Sequence, residues 1–395
     1  MSLRYMTIML VTMTVNTSAI AVANPFDSFK VSFTESNFDS VWRGDVDNDG
    51  KITIADVTEL IDIILGNSQA GEAADVDADG HVSIADVTTL IDIILNNEAN
   101  KTLKVLFIGN SFSLNTASYV LHILKDITPS IDVTLGILYQ GSSSLQNQWT
   151  KLTSSVSGTG SNGKGHFYQY YYEGNTNDCV CVWSETSSQN PDSILIPDKQ
   201  WDIVVLHQRS HESGDYRTFE PYFSNIISYV KDTSRLPNAK IGWLITQAFS
   251  DSYAANNPKL DSNGATYNTS EGMYEAIIDA SNQVINANGL DFIIPTGTAI
   301  QMLRNTEYGE PTRDGYHLSP GIPMLAAGYC LAISILNELS IGNIDKKILS
   351  CGYIPAVNES LLSDTSYYDS TRVTTANINL AKQCALSAFN SYLIR

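Results

Sequence analysis

The sequence predicts an α/β chain: a parallel sheet in a three-layer α/β/α arrangement, preceded by a small all-α module. Three observations predict it. From Lys101 onward, short β-branched runs alternate with helical stretches, the pattern of a parallel sheet with crossover helices on both faces. Between Gly44 and Asn97 a loop-plus-helix unit occurs twice. The chain has 395 residues, 43% hydrophobic and 16% charged, which suits one large domain plus something smaller and excludes disorder for most of it.

The net charge of −19 argues against nucleic acid or an anionic membrane as partner. It is unevenly placed: Arg43 to Glu98 holds 13 acidic and 2 basic residues, so 13 − 2 = 11 of the 19 excess negatives sit there. Such a segment either repels itself into disorder or holds cations. The repeat decides between these. GDVDNDGKITIADVTELIDIILGN returns as ADVDADGHVSIADVTTLIDIILNN, with Asp45 recurring as Asp75 (75 − 45 = 30 residues on). Each copy sets carboxylates at loop positions one, three, five and twelve: Asp45, Asp47, Asp49 and Asp56, then Asp75, Asp77, Asp79 and Asp86. Gly50 and Gly80 stand at the sharp turn, Lys51 and His81 offer backbone carbonyls at position seven, and Thr53 and Ser83 offer hydroxyls. An all-oxygen, flexible cage of this kind suits calcium. The His81 imidazole is expected to face solvent, because position seven ligates through its carbonyl. A helix follows each loop, with Val57, Leu60, Ile61 and Ile64 on one stripe, echoed by Val87, Leu90, Ile91 and Ile94.

Aspartate at position twelve, and one helix per loop with no entering helix, resemble a type I dockerin. The resemblance covers about Gly44 to Asn97. It implies structural calcium and a cohesin-type protein partner. So short a unit buries little apolar surface, and metal binding is expected to supply much of its stability.

Ahead of this module, Arg4 precedes an apolar-rich run that ends in Ala21-Val22-Ala23, which predicts an export signal over residues 1–23 cleaved after Ala23. Thr12, Thr14, Asn16, Thr17 and Ser18 make the run too polar to span a membrane comfortably, so a secreted or periplasmic protein without a membrane anchor is expected. Residues 24–42 read as a linker, 43–98 as the calcium module and 101–395 as the catalytic domain. The five cysteines form neither a disulfide framework nor a zinc pattern; Cys179 and Cys181 would share a strand face, and buried thiols are expected.

In the large domain the predicted strands are Leu103–Ile108, Val133–Leu138, Ile203–Leu206, Ile241–Ile245 and Phe292–Ile294. Predicted helices run from Ala117 to Ile127, Tyr222 to Val230, Gly272 to Asn288 and Ile322 to Leu336. Ligand sites in such sheets lie beyond the carboxyl ends of the strands. There the sequence sets Ser111 after the first strand, Gly141-Ser142 after the second, His207-Gln208 after the third, and Asp314-Gly315-Tyr316-His317 after the fifth. His207 and His211 flank Gln208 and are candidates to line the pocket; His122, on a helix, and Trp243 read as structural.

I-G-N-S-F-S resembles the first block of SGNH (GDSL-like) hydrolases, with Asn110 where Asp is common, and D-G-Y-H-L resembles their last block. Gly141 stands at the family's glycine position, and Gln208 where the family usually has Asn. The resemblance covers Lys101 to the C-terminus and implies a flavodoxin-like SGNH fold and a serine esterase. In that scheme Ser111 is the nucleophile, His317 its base and Asp314 the group that orients the imidazole. Ser111 N–H, Gly141 N–H and the Gln208 amide would form the oxyanion hole. No Walker loop, dinucleotide fingerprint, H-E-x-x-H or G-x-S-x-G elbow occurs, so no catalytic cofactor or metal is expected, nor the α/β-hydrolase fold. Export together with a dockerin-like module favours a carbohydrate O-acyl esterase acting on acetyl groups. A lipase or thioesterase on the same fold, or a non-catalytic glycan-binding protein, are the alternatives.

Overall fold

The computed structural model describes residues 44–49, 52–77, 79–97, 101–129, 131–153, 170–176, 179, 181–185, 200–361 and 366–393. The expected export signal and linker, Gly50 and Lys51 lie outside the described residues.

In the module, α1 (Ile54–Ile64) and α2 (Ile84–Asn97) each follow one acidic loop. Thr53 caps α1: its hydroxyl accepts from Ala55 N–H while Asp56, three residues on, accepts from Thr53 N–H. Ser83 and Asp86 repeat the arrangement at α2. A small core of Val57, Leu60, Ala74, Val76, Val87 and Leu90 joins the two units. The expected stripe is corrected at Ile61 and Ile64 in the first copy and at Ile91 in the second. These three side chains are exposed and do not enter this core, because the helices meet along the Val57–Leu60 and Val87–Leu90 edges.

The large domain begins with β1 (Thr102–Gly109), α3 (Ser111–Ala117), α4 (Val120–Ile127), β2 (Asp132–Tyr139), α5 (Leu145–Thr153), β3 (Tyr170–Asn175) and β4 (Cys181–Glu185). It continues through β5 (Ile203–Leu206), α6 (Tyr222–Val230), β6 (Lys240–Leu244), α7 (Asp251–Asn256), β7 (Lys259–Leu260), β8 (Thr266–Tyr267), α8 (Ser270–Asn288) and β9 (Phe292–Ile294). The chain closes with α9 (Thr296–Arg304), α10 (Ile322–Glu338), α11 (Ile344–Ser350) and α12 (Thr375–Leu393).

The main sheet has the order β4-β3-β2-β1-β5-β6-β9, and the five strands from β2 to β9 are parallel. Alternation along β1 divides the core. Leu103, Val105 and Phe107 face a layer that includes α4, α9, α10 and α12, whereas Leu106 and Ile108 face α5, α6 and α8. Helix α10 is buried from Ile322 through Leu336, which accounts for its almost continuous apolar sequence.

Two features depart from the sequence reading. An antiparallel pair, β3 and β4, extends the sheet beyond β2, so the sheet is mixed. Cys179 lies outside both strands with a left-handed φ of 50°, so it does not share a strand face with Cys181. The first helix starts at Ser111 and not near Ala117, because Asn110 caps it: its side-chain oxygen accepts from Phe112 N–H. Cys330, Cys351 and Cys384 are free, buried thiols. Among the described residues, no helix is long and apolar enough to cross a membrane.

Candidate active site

The carboxyl edge of the parallel strands brings the two ends of the domain together. Ser111 Oγ lies 2.8 Å from His317 Nε2, and His317 Nδ1 lies 2.6 Å from Asp314 Oδ2. The other Asp314 oxygen accepts from the backbone N–H groups of Tyr316 and His317, at 3.2 and 2.8 Å. Burial acts to raise the pKa of this carboxyl, but the hydrogen bonds from His317 and Tyr316 outweigh it and hold the group at about 2. Asp314 is therefore an anion across the neutral range. With a carboxylate fixed on Nδ1, the imidazole carries its proton there and turns a bare Nε2 toward the serine.

Glycine is required twice. Gly315 has φ of 93°, and a Cβ there would sit 2.6 Å from Tyr253; this turn lets Asp314 fold back under the imidazole. A Cβ on Gly109 would sit 2.1 Å from His207 Nε2. His207 thus crosses the end of β1 to meet Ser113 Oγ at 2.8 Å, with its Nδ1 3.1 Å from Gln208 O. It is buried beneath the site and does not line it; His211 does.

The expected oxyanion donors fare differently. Ser111 is the first residue of α3, where a backbone N–H has no partner within its helix, and it borders the cleft. Gln208 is turned away. Its Oε1 accepts from Leu145 and Arg209 N–H at 3.0 Å each, and its Nε2 donates to the carbonyl and hydroxyl of Thr218. Both ends of this buried amide are committed to binding loops together, which corrects its placement as a donor to substrate. After β2 the cleft is lined by Ser142 and not by Gly141, and Ser142 holds the left-handed φ of 54° that costs a non-glycine residue energy. Asn110 spends its amide on Ser143 O and its oxygen on the helix cap, so it braces the loop that carries Ser111.

The cleft encloses about 410 Å³ and opens to solvent. Phe112, Tyr316 and His211 form its aromatic side, and the Tyr316 ring lies 4.0 Å from that of His317. Arg209, Glu212 and Lys259 supply charge on its wall, a set that sequence reading missed because it joins the turn after β5 to the distant β7–β8 hairpin.

In the acidic module, carboxylate oxygens of Asp45, Asp47 and Asp56 lie within 4.8 Å of one another, as do those of Asp75, Asp77 and Asp86. Asp49 and Asp79 stand outside these clusters, and His81 is exposed as expected. Like charges about 4 Å apart repel by about 1 kcal/mol in water and about 4 kcal/mol near a protein surface. All-oxygen clusters of this kind fit calcium, which would relieve that repulsion. Asp45, Asp47, Asp56, Asp75, Asp77 and Asp86 would hold the ions.

Residues 104–347 match the family model described as Domain of unknown function (DUF4886). The chain belongs to the DUF4886 family. Residues 43–95 match the family model described as dockerin type I domain, so the DUF4886 domain follows a dockerin-type module, and that match implies calcium binding. A DUF4886 family protein from Bacteroides uniformis shares the fold at 21% identity, covering 73% of this chain and 95% of its own, with a TM-score of 0.56. Weaker likenesses are a candidate SGNH hydrolase from Slackia heliotrinireducens (14% identity, 60% and 98% covered, TM-score 0.34) and a catalytic mutant of an acetylxylan esterase from Geobacillus stearothermophilus (12%, 61% and 96%, 0.32). No curated protein matches the sequence.

Two predictions arise here. Chelation of the full-length protein is expected to melt α1 and α2, seen as new protease cuts within residues 44–97 that added calcium suppresses; an unchanged digest would contradict the calcium assignment. Burial lowers the pKa of His207 from the ordinary 6.5 to about 4. The unfolded chain therefore takes up a proton below pH 6.5 that the folded one refuses. Stability from this group is complete above pH 6.5 and is lost as pH falls toward 4, by on the order of 3 kcal/mol. Thermal midpoints that stay flat across this window would contradict it.

Proposed function

We propose that the DUF4886 domain is a serine ester hydrolase that removes small O-acyl groups, acetyl above all, from carbohydrate. The observation that carries this reading is the relay Ser111–His317–Asp314, with bonds of 2.8 and 2.6 Å, opening on a solvent-accessible cleft.

Each step follows from the groups in place. His317 Nε2 takes the Ser111 proton as Oγ attacks the ester carbonyl. The tetrahedral oxyanion is met by the N–H of Ser111 and the backbone of the Ser142 turn. Collapse expels the sugar alkoxide, which leaves with the proton from His317, and the acyl group stays on Ser111. Water then gives its proton to His317 and attacks the acyl-serine; the carboxylate departs and Ser111 recovers its proton. Asp314 stabilises the imidazolium in both halves without accepting a proton.

A small acyl group fits this cleft better than a long chain, because its lining alternates Phe112 and Tyr316 with Ser142, Ser210 and charged residues and, among the described residues, offers no extended apolar groove. The dockerin supports an extracellular setting, with residues 1–23 as the export signal and a cohesin-type partner as the tether. Ile54 and Ile84, 70% and 69% exposed at equivalent positions of the two repeats, give that partner a duplicated apolar contact.

On a short acyl ester, Ser111→Ala and His317→Ala are each expected to lower kcat by at least roughly 1,000-fold, with circular dichroism unchanged. Asp314→Asn is expected to lose less, since it orients and moves no proton. Wild-type rates for Ser111→Ala would refute the mechanism.

A further inference from the structure

We infer that the cleft is built for an acyl ester on an anionic sugar, one bearing a carboxylate, which Lys259 and Arg209 would hold. This rests on the esterase reading and adds the substrate class. In a chain of net charge −19, the cleft wall carries two cations, Arg209 and Lys259, against one anion, Glu212. Glu212 is already committed: its Oε1 lies 2.5 Å from an Arg209 terminal nitrogen. The Arg209 Nε is buried and has no hydrogen-bond partner among the described residues. Lys259 is half-buried, and among the described residues no ion pair or hydrogen bond engages its ammonium. Both cations lie near His211: its burial, followed by the charges of Lys259 and Arg209, lowers its pKa.

The wall that carries them is braced. Lys259 begins the β7–β8 hairpin, paired with buried Tyr267. The hairpin is tied to the loop after β5, which bears Arg209: Tyr216 N–H donates to Ser262 Oγ at 3.1 Å. Arg217, held by both oxygens of Asp215, donates to Asp261 O at 3.3 Å. The segments that bear the two cations are therefore held together before substrate arrives, which lowers the cost of binding. A neutral sugar could accept hydrogen bonds from these cations but would gain no charge pairing from them. An anionic one must overcome the repulsion of the whole molecule, and beyond a screening length of about 8 Å that repulsion fades while contact charges remain.

The test uses the calcium-loaded full-length protein and three acetylated methyl glycosides: a glucuronide, a glucoside and a sulfated glucoside, with acetate release as the readout. The glucuronide is expected to have about tenfold the kcat/KM of the glucoside, the gain lying in KM, as one charge-assisted hydrogen bond supplies. Lys259→Gln should erase that ratio, and Lys259→Arg should restore it. A wild-type preference for the glucoside, a ratio that Lys259→Gln leaves unmoved, or a preference for the sulfated sugar would each overturn the inference. Hydrolysis of none of the three would overturn the esterase reading beneath it, a result distinct from a misplaced preference.

Discussion

A hydrogen bond of 2.8 Å joins residues 206 positions apart, Ser111 and His317, and the architecture of the large domain is what holds its two ends in place. Both residues leave the same edge of the sheet: Ser111 at the end of β1, His317 in the turn that precedes α10. β1 lies centrally, between β2 and β5, so its carboxyl end cannot move without disturbing both ladders. α10 is buried through almost its whole length and fixes the histidine turn from the other side. A serine hydroxyl gains nucleophilicity only from a base at this distance, so the proposed chemistry depends on the rigidity of two distant segments.

The layers beneath the site serve the same end. His207, Ser113 and Gly109 interlock below the loop that carries Ser111, and Gln208 ties α5 to the loop after β5 through Leu145 and Thr218. These polar groups are buried and satisfied. They stabilise the loops that carry Ser111, Ser142 and Arg209, and loops pinned in this way can keep a left-handed serine at Ser142.

What was legible in the sequence follows from how local each signal is. β1 and β5 are short apolar runs, and their ends announce the site. Asp314 and His317 lie three residues apart, so the turn between them is a local matter that Gly315 encodes. The acidic loops repeat and thus identify themselves. Gln208 was misread because the direction of a side-chain amide is set by partners far away in sequence, here Thr218 and Leu145. Ser142 was placed at the strand end, but its left-handed backbone was not foreseen, because nothing in a serine's identity signals a positive φ. The β3–β4 pair was missed because antiparallel extension of a parallel sheet depends on what the β2 edge can accept, and not on periodicity. Ile61 and Ile91 fit a helical stripe, yet the module's core is narrower than the stripe. The charged wall of Arg209, Glu212 and Lys259 exists only after the hairpin packs on its neighbour loop.

The central claim is that Ser111 is a nucleophile activated by His317, and covalent trapping tests it most directly. A fluorophosphonate should add its phosphonyl group to one residue of the full-length protein, and peptide mass analysis should place that group on Ser111. Labelling should fall sharply in His317→Ala. A label on Ser113 or another serine, or equal labelling without His317, would contradict the account.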